Sequence, residues 1–137
     1  LAENNFDYII MDTSPGIQYS SINAIVASDL IAVTTTSDRS DVNGTQRMLK
    51  ELYSLFEKKT GVVINKIIDY NTAIKKNELH TRLKEVYQIP LLGMIPCFCD
   101  IIRAEGNFIF VCDKPEHPFS TILSDMAQKI ENNELTC

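Results

Sequence analysis

The chain has 137 residues, 45% hydrophobic and 23% charged, which suits one domain with its own core and excludes a disordered chain. Its net charge of -5 and pI near 5.0 argue against a broad basic nucleic-acid face, and no nucleic-acid signature stands out. No apolar run approaches the ~18 residues that cross a bilayer, so no membrane helix is expected.

Leu1-Ala2-Glu3-Asn4-Asn5 holds no basic stretch followed by an apolar one, so no signal peptide is expected, and the missing initiator Met points to a piece of a longer chain. Tyr8-Ile9-Ile10-Met11 is a short unbroken apolar run, the pattern of a strand covered on both faces. It leads into Asp12-Thr13-Ser14-Pro15-Gly16-Ile17. Ile22, Ile25 and Val26 then mark one face of a helix from about Gln18 to Ser28. Leu30-Ile31-Ala32-Val33 is a second strand, ending in the hydroxyl-rich Thr34-Thr35-Thr36.

Val42, Met48, Leu49, Leu52, Leu55 and Phe56 follow helical spacing over about Asp41 to Lys58, with Ser40 as N-cap and Thr60-Gly61 as the stop. Gly61-Val62-Val63-Ile64 is a third strand with Asn65-Lys66 at its end. Leu79, Leu83, Val86 and Tyr87 mark a helix that closes before Pro90. Leu91-Leu92-Gly93-Met94-Ile95 is a fourth strand, ending at Pro96-Cys97, and Asp100 to Ala104 starts a short helix. Phe108 to Cys112 reads as an edge strand. Phe119, Ile122, Leu123, Met126, Ala127 and Ile130 form the clearest amphipathic stripe, with Pro118 in its first turn.

Strands alternating with helices at this period predict an α/β fold with right-handed crossovers, in one domain over residues 1–137. In such sheets ligands gather at the carboxyl ends of the strands. Asp12, at such an end, either holds a magnesium-bound water or positions a nucleophile, or else makes a local turn with Ser14 and caps the next helix. Pro15-Gly16 lets a backbone N–H approach a terminal phosphate with no side chain in the way. The Asn65 amide offers a donor and an acceptor side by side, matching the N6 and N7 edge of adenine, or it simply starts a loop. Asp100 caps the short helix, or its turn lines a base pocket. Cys97, Cys99, Cys112 and Cys137 fit small residues of a reducing, cytoplasmic compartment, or Cys97 and Cys99 build a metal site between two subunits. His80 and His117 have no carboxylate spacing that suggests a role.

Taken in register, these strand ends resemble one family. Phe6 to Ile17 is similar to the switch II region of the MinD/ParA group of deviant Walker P-loop ATPases. Ala27 to Thr35 resembles its next strand, Gly61 to Lys66 the strand whose polar end contacts adenine, and Leu92 to Pro96 with Arg103-Ala104 its last section. The MinD-like subgroup is the closer one, and the agreement runs from about Phe6 to Ile130.

The resemblance implies a parallel three-layer α/β/α sheet, part of a SIMIBI-type P-loop NTPase fold, with this chain as its C-terminal portion. It implies ATP or ADP and Mg2+ as cofactors. Asp12 is then the catalytic and metal-side residue, Pro15 and Gly16 contact the terminal phosphate, Asn65 and Lys66 read adenine, and Pro96 packs on the base. It also implies a homodimer in the parent protein, a protein partner that regulates the ATPase, and a role in positioning a cellular complex. No glycine-rich loop ending in Gly-Lys-Ser/Thr occurs in the 137 residues. The chain alone is therefore not expected to hydrolyse ATP, and its sheet is expected to expose apolar edges. A non-catalytic, receiver-like interaction module and a metallochaperone-type relative are the alternative readings.

Overall fold

The computed structural model describes residues 5–16, 18–68, 73–107, 109–132 and 135, without the side chains of 52–54 and 73–76. In chain order the elements are α1 (Tyr19–Ala27), β1 (Leu30–Thr36), α2 (Arg39–Leu55), β2 (Lys59–Ile67), α3 (Ala73–Tyr87), β3 (Leu91–Pro96), α4 (Cys99–Arg103), α5 (Phe110–Asp113) and α6 (Pro118–Glu131). The strands form one parallel sheet in the order β1-β2-β3.

The continuous apolarity of the strands follows from a sheet covered on both faces. On one face Val33, Val62, Ile64 and Met94 pack with Val42 and Leu49 of α2 and Leu83 and Tyr87 of α3. On the other, Val63, Leu92 and Ile95 meet Leu135 and the α6 stripe of Phe119, Ile122, Leu123, Met126 and Ile130. The layers are therefore α/β/α, and each buried Val, Leu or Ile contributes roughly 1.5–3 kcal/mol.

Two irregularities in the β2–β3 ladder shape the sheet. Val62 pairs with Leu91 but Val63 with Gly93, so Leu92 is the extra residue of a bulge, and it turns toward α6. Its carbonyl accepts from Lys129 Nζ at 3.0 Å. Gly93 lies under α6, where a Cβ would sit 2.7 Å from Met126 Cγ. The second irregularity falls between Ile64↔Met94 and Ile67↔Pro96, and it contains Asn65 and Lys66.

Four sequence expectations are corrected. Tyr8–Met11 joins no ladder among the described residues and is exposed, Ile10 to 93%. Apolarity does not make a strand without a neighbour to pair its N–H and C=O groups, and β1 is the edge of the described sheet. Helix α2 begins at Arg39, with Val42 N–H bonded to Asp38 O at 2.9 Å, so Ser40 lies inside the first turn and is not the N-cap. Thr60-Gly61 does not stop α2, which ends at Leu55; both residues belong to β2. Gly61 is small because Leu135 and Leu92 press on it: a Cβ there would meet them at 3.0 and 3.2 Å. Phe108–Cys112 is not an edge strand. Phe108 lies outside the described residues, and Phe110–Asp113 is a helical turn with its own N-terminal cap, Ile109 N–H donating to Asp113 Oδ2 at 2.8 Å.

Candidate functional site

Parallel strands bring three chain turns to one edge of the sheet. At the end of β1, Thr36 Oγ1 donates to Asp41 Oδ2 at 2.6 Å and accepts from Asp38 N–H at 3.2 Å, which locks the turn into α2. Beneath it Thr45 Oγ1 donates to Thr35 Oγ1 at 2.9 Å. The Tyr87 hydroxyl is buried beside this pair, and burial pushes its ionisation up, so it stays a neutral phenol.

At the end of β2, Asn65 lies opposite Thr36. Lys66 has φ of 56°, a left-handed conformation that side chains disfavour. Asn65 Oδ1 holds it there by accepting the Lys66 N–H at 2.8 Å. The chain then returns to pairing, Ile67 opposite Pro96, with Cys97 N–H donating to Ile67 O at 2.9 Å. A local side-chain acceptor and two long-range contacts thus fix the bulge.

A groove of about 790 Å3 runs along this edge. Thr36 and Asp38 come from the β1–α2 turn, Lys66 from the bulge, Glu78 and Arg82 from α3, and Cys97 from the end of β3. Ile67, Ile68 and Leu79 supply apolar surface. Cations, carboxylates and hydroxyls around an apolar floor suit a flat ligand with a polar edge.

The structure therefore brings Asn65, Lys66 and Pro96 to one edge, with Lys66 among the residues that line the groove. Asp12, Pro15 and Gly16 lie in a separate exposed loop before α1, and none of the three lines the groove. Gly16 has φ of 88° with open space where a Cβ would stand, so the turn needs glycine for its backbone. Ser21 Oγ donates to Ser14 O at 3.1 Å and ties this loop to α1.

Sequence reasoning missed Glu78 and Arg82, although their i, i+4 spacing beside Leu79 is the available signal for a shared face. It also missed His117. This ring, its side chain 16% exposed, accepts the Phe119 N–H on Nδ1 at 3.1 Å as N-cap of α6, and its Nε2 meets Asp100 Oδ2 at 2.8 Å. Asp100 is half exposed. Desolvation resists ionisation of its carboxyl, but the hydrogen bond from His117 and those from the Asp100 and Ile101 backbone outweigh it and hold the carboxyl below its ordinary range. Residues so distant in sequence carry no spacing signal.

Cys97, Cys99 and Cys112 are free and exposed, and Cys137 lies outside the described residues. Among the described residues no group of three or more His, Cys, Asp or Glu is placed to hold a metal ion, and no helix is long and apolar enough to cross a membrane.

Residues 1–69 match a family model described as an AAA domain. The septum site-determining protein MinD of Thermotoga maritima is 28% identical over 92% of this chain and 47% of its own length. Among solved structures, the MinC:MinD cell division protein complex of Aquifex aeolicus superposes with a TM-score of 0.81 at 19% identity, covering 96% of this chain and 54% of that one. A ParA family ATPase from Chlorobium tepidum superposes with a TM-score of 0.70 at 21% identity, covering 93% and 52%. The chain spans about half the length of the curated relatives it matches. It has their parallel α/β architecture and belongs to the MinD/ParA family of P-loop ATPases, within the AAA-domain family matched by its first 69 residues.

Proposed function

We propose that this chain forms the base-side and magnesium-side walls of an ATP site in a MinD-like ATPase, whose nucleotide-dependent dimer positions a cellular complex in the cytoplasm. The observation that carries the reading is the carboxyl edge of the sheet, where the Asn65–Lys66 bulge and Pro96 meet across paired strands beside an open groove. Asn65 retains its amide donor after giving Oδ1 to Lys66, so it can meet a ring nitrogen of adenine. Pro96 supplies a flat apolar contact for the base.

The residues fit the implied groups on these two sides. Asp12 is an exposed carboxylate, the ligand type a hard Mg2+ ion takes, usually through water. Gly16 leaves its surroundings open at a positive φ, so its N–H can approach a phosphate oxygen with Pro15 shaping the turn. ATP supplies the transferable phosphoryl group, and its charge needs more cations than Asp12's loop contains. That cradle must come from a segment outside the 137 residues, which is why this chain alone is assigned binding walls and no turnover.

The relative solved as a MinC:MinD complex supports a protein partner of the same kind. Cell division is the favoured process, with chromosome or plasmid partitioning and flagellum or pilus placement as related outputs of the same dimer. Calorimetry with Mg-ATP on the full-length native polypeptide tests the reading. Micromolar binding that weakens in Asn65→Ala is expected, with turnover lost in Asp12→Ala. A full-length protein that binds no Mg-ATP refutes it.

A further inference from the structure

The base-side wall proposed above ends at Pro96, and the chain leaves it through the short connection Cys97-Phe98 into α4. Cys97 is tied to β2 through its N–H. Beyond it the backbone leaves the sheet, and α4 is only five residues long. A helix of that length does not hold itself in place. Phe98 packs against the Val63–Leu92–Ile95 cluster and Ala104 is buried, which leaves the polar first turn of α4 to be held from outside the loop.

His117 meets that need. Its Nε2 reaches Asp100 in the first turn of α4 at 2.8 Å. The Phe98 ring stands edge-on to the imidazole, with centroids 5.1 Å apart, and edge-on to Phe119 at 6.1 Å. The Phe110 ring closes on the imidazole at 5.2 Å. The ring cannot drift, because Nδ1 accepts the Phe119 N–H and the His117 N–H donates to Lys114 O at 3.1 Å. A nitrogen that accepts carries no proton in the neutral ring, so the proton sits on Nε2 and points to Asp100. One imidazole thus starts α6 with one nitrogen and grips α4 with the other. Helix α6 is itself secured, with five apolar side chains packed against the sheet.

We propose that His117 is a positioning residue for the base-side wall: through Asp100 and Phe98 it clamps the β3–α4 connection to the rigid start of α6. The proposal rests on the nucleotide reading above for its functional consequence, though the clamp itself does not. Loss of the Asp100 bond loosens the first turn of α4, while Phe98 stays packed against the Val63–Leu92–Ile95 cluster and the sheet is left intact.

The two arms of the ring separate by substitution. An Asn side chain places its oxygen near where Nδ1 stands, so His117→Asn keeps the α6 cap and loses Asp100. A Gln side chain reaches as far as Nε2, so His117→Gln keeps the Asp100 bond and loses the cap. Asp100→Ala removes the same bond from the other end without touching α6. The measurements are Mg2+-dependent binding of a fluorescent ADP analogue and amide hydrogen exchange at residues 97–103, both on the full-length native polypeptide.

His117→Asn and Asp100→Ala should bind about tenfold more weakly, the size of effect one charge-assisted hydrogen bond carries, and should exchange faster at 97–103. His117→Gln should bind within about twofold of wild type and melt at a lower temperature, because a lost cap is a stability effect. Wild-type exchange at 97–103 in both His117→Asn and Asp100→Ala overturns the clamp. Equal losses of affinity in the Asn and Gln variants overturn it as well, since a merely structural histidine would not distinguish them. Faster exchange in a protein whose wild type binds no ADP leaves the clamp standing and refutes the nucleotide reading instead.

Discussion

Lys66→Gly should make this protein more stable, although it deletes a side chain at the candidate site. Lys66 holds φ of 56° at the bulge near the end of β2. That conformation costs a residue with a Cβ about 1–2 kcal/mol, and glycine adopts it freely. Glycine also adds freedom to the unfolded chain, which takes back up to about 1 kcal/mol. The net expectation is a gain of about 0.5–1 kcal/mol. Lys66→Val tests the same conformation from the other side, because a β-branched side chain is the worst occupant of left-handed space, and a loss of about 2 kcal/mol is expected. Urea unfolding followed by circular dichroism reads both. With a slope of about 2 kcal/mol/M, the midpoint should rise by about 0.3–0.5 M for glycine and fall by about 1 M for valine, with the slope unchanged. Valine at the wild-type midpoint, or glycine below it, would show that the bulge is not held in the left-handed region and would remove the argument that Asn65 Oδ1 is spent on fixing it.

Three further outcomes follow from particular contacts. Gly93→Ala should destabilise by roughly 1–3 kcal/mol through overpacking on Met126, and a double-mutant cycle with Met126→Ala should show the two changes to be strongly non-additive; additivity would place α6 farther from β3 than it stands here. Lys129→Met removes the donor to the bulged Leu92 carbonyl and should cost about 1–2 kcal/mol in urea unfolding, whereas an unchanged midpoint would mean that water replaces the ammonium without loss. The Asp100 carboxyl is held below its ordinary range in the folded state, so its contribution is complete above the unfolded carboxylate pKa and disappears as pH falls through the folded one. Stability measured from pH 7 to pH 2.5 should therefore fall less steeply in Asp100→Asn than in wild type, and parallel profiles would contradict the His117 bond.

Much of the architecture was legible in local pattern. Five residues of the α6 stripe, Phe119, Ile122, Leu123, Met126 and Ile130, face the sheet as their spacing predicts, whereas Ala127 is exposed, and α3 ends at Tyr87 before Pro90. The strand ends at Thr36, Asn65 and Pro96 lie at one edge because parallel strands joined by helical crossovers leave them no alternative. Tyr8–Met11 misled for the opposite reason: its composition matches a buried strand, yet a strand is a relation between two segments, and none of the described residues pairs with it. Phe110 is buried as its apolarity suggests, but in a helical turn capped by Asp113, a contact that a period-2 reading does not register.

Residue pattern alone carried the class of fold, the three strands of the sheet with the helices between them, and the polar ends of β1 and β2, because these follow from the spacing of apolar side chains and from short-range turn chemistry. Contacts between distant segments set what remains. The bulges at Leu92 and at Asn65–Lys66 arise from ladder register across β2 and β3, which no single strand contains. The groove joins Lys66 to Arg82 and Cys97, and the ring of His117 joins Asp100 to Phe119, across separations that chain spacing does not encode. Those contacts depend on how the sheet packs its two helical layers, and packing is a property of the whole chain.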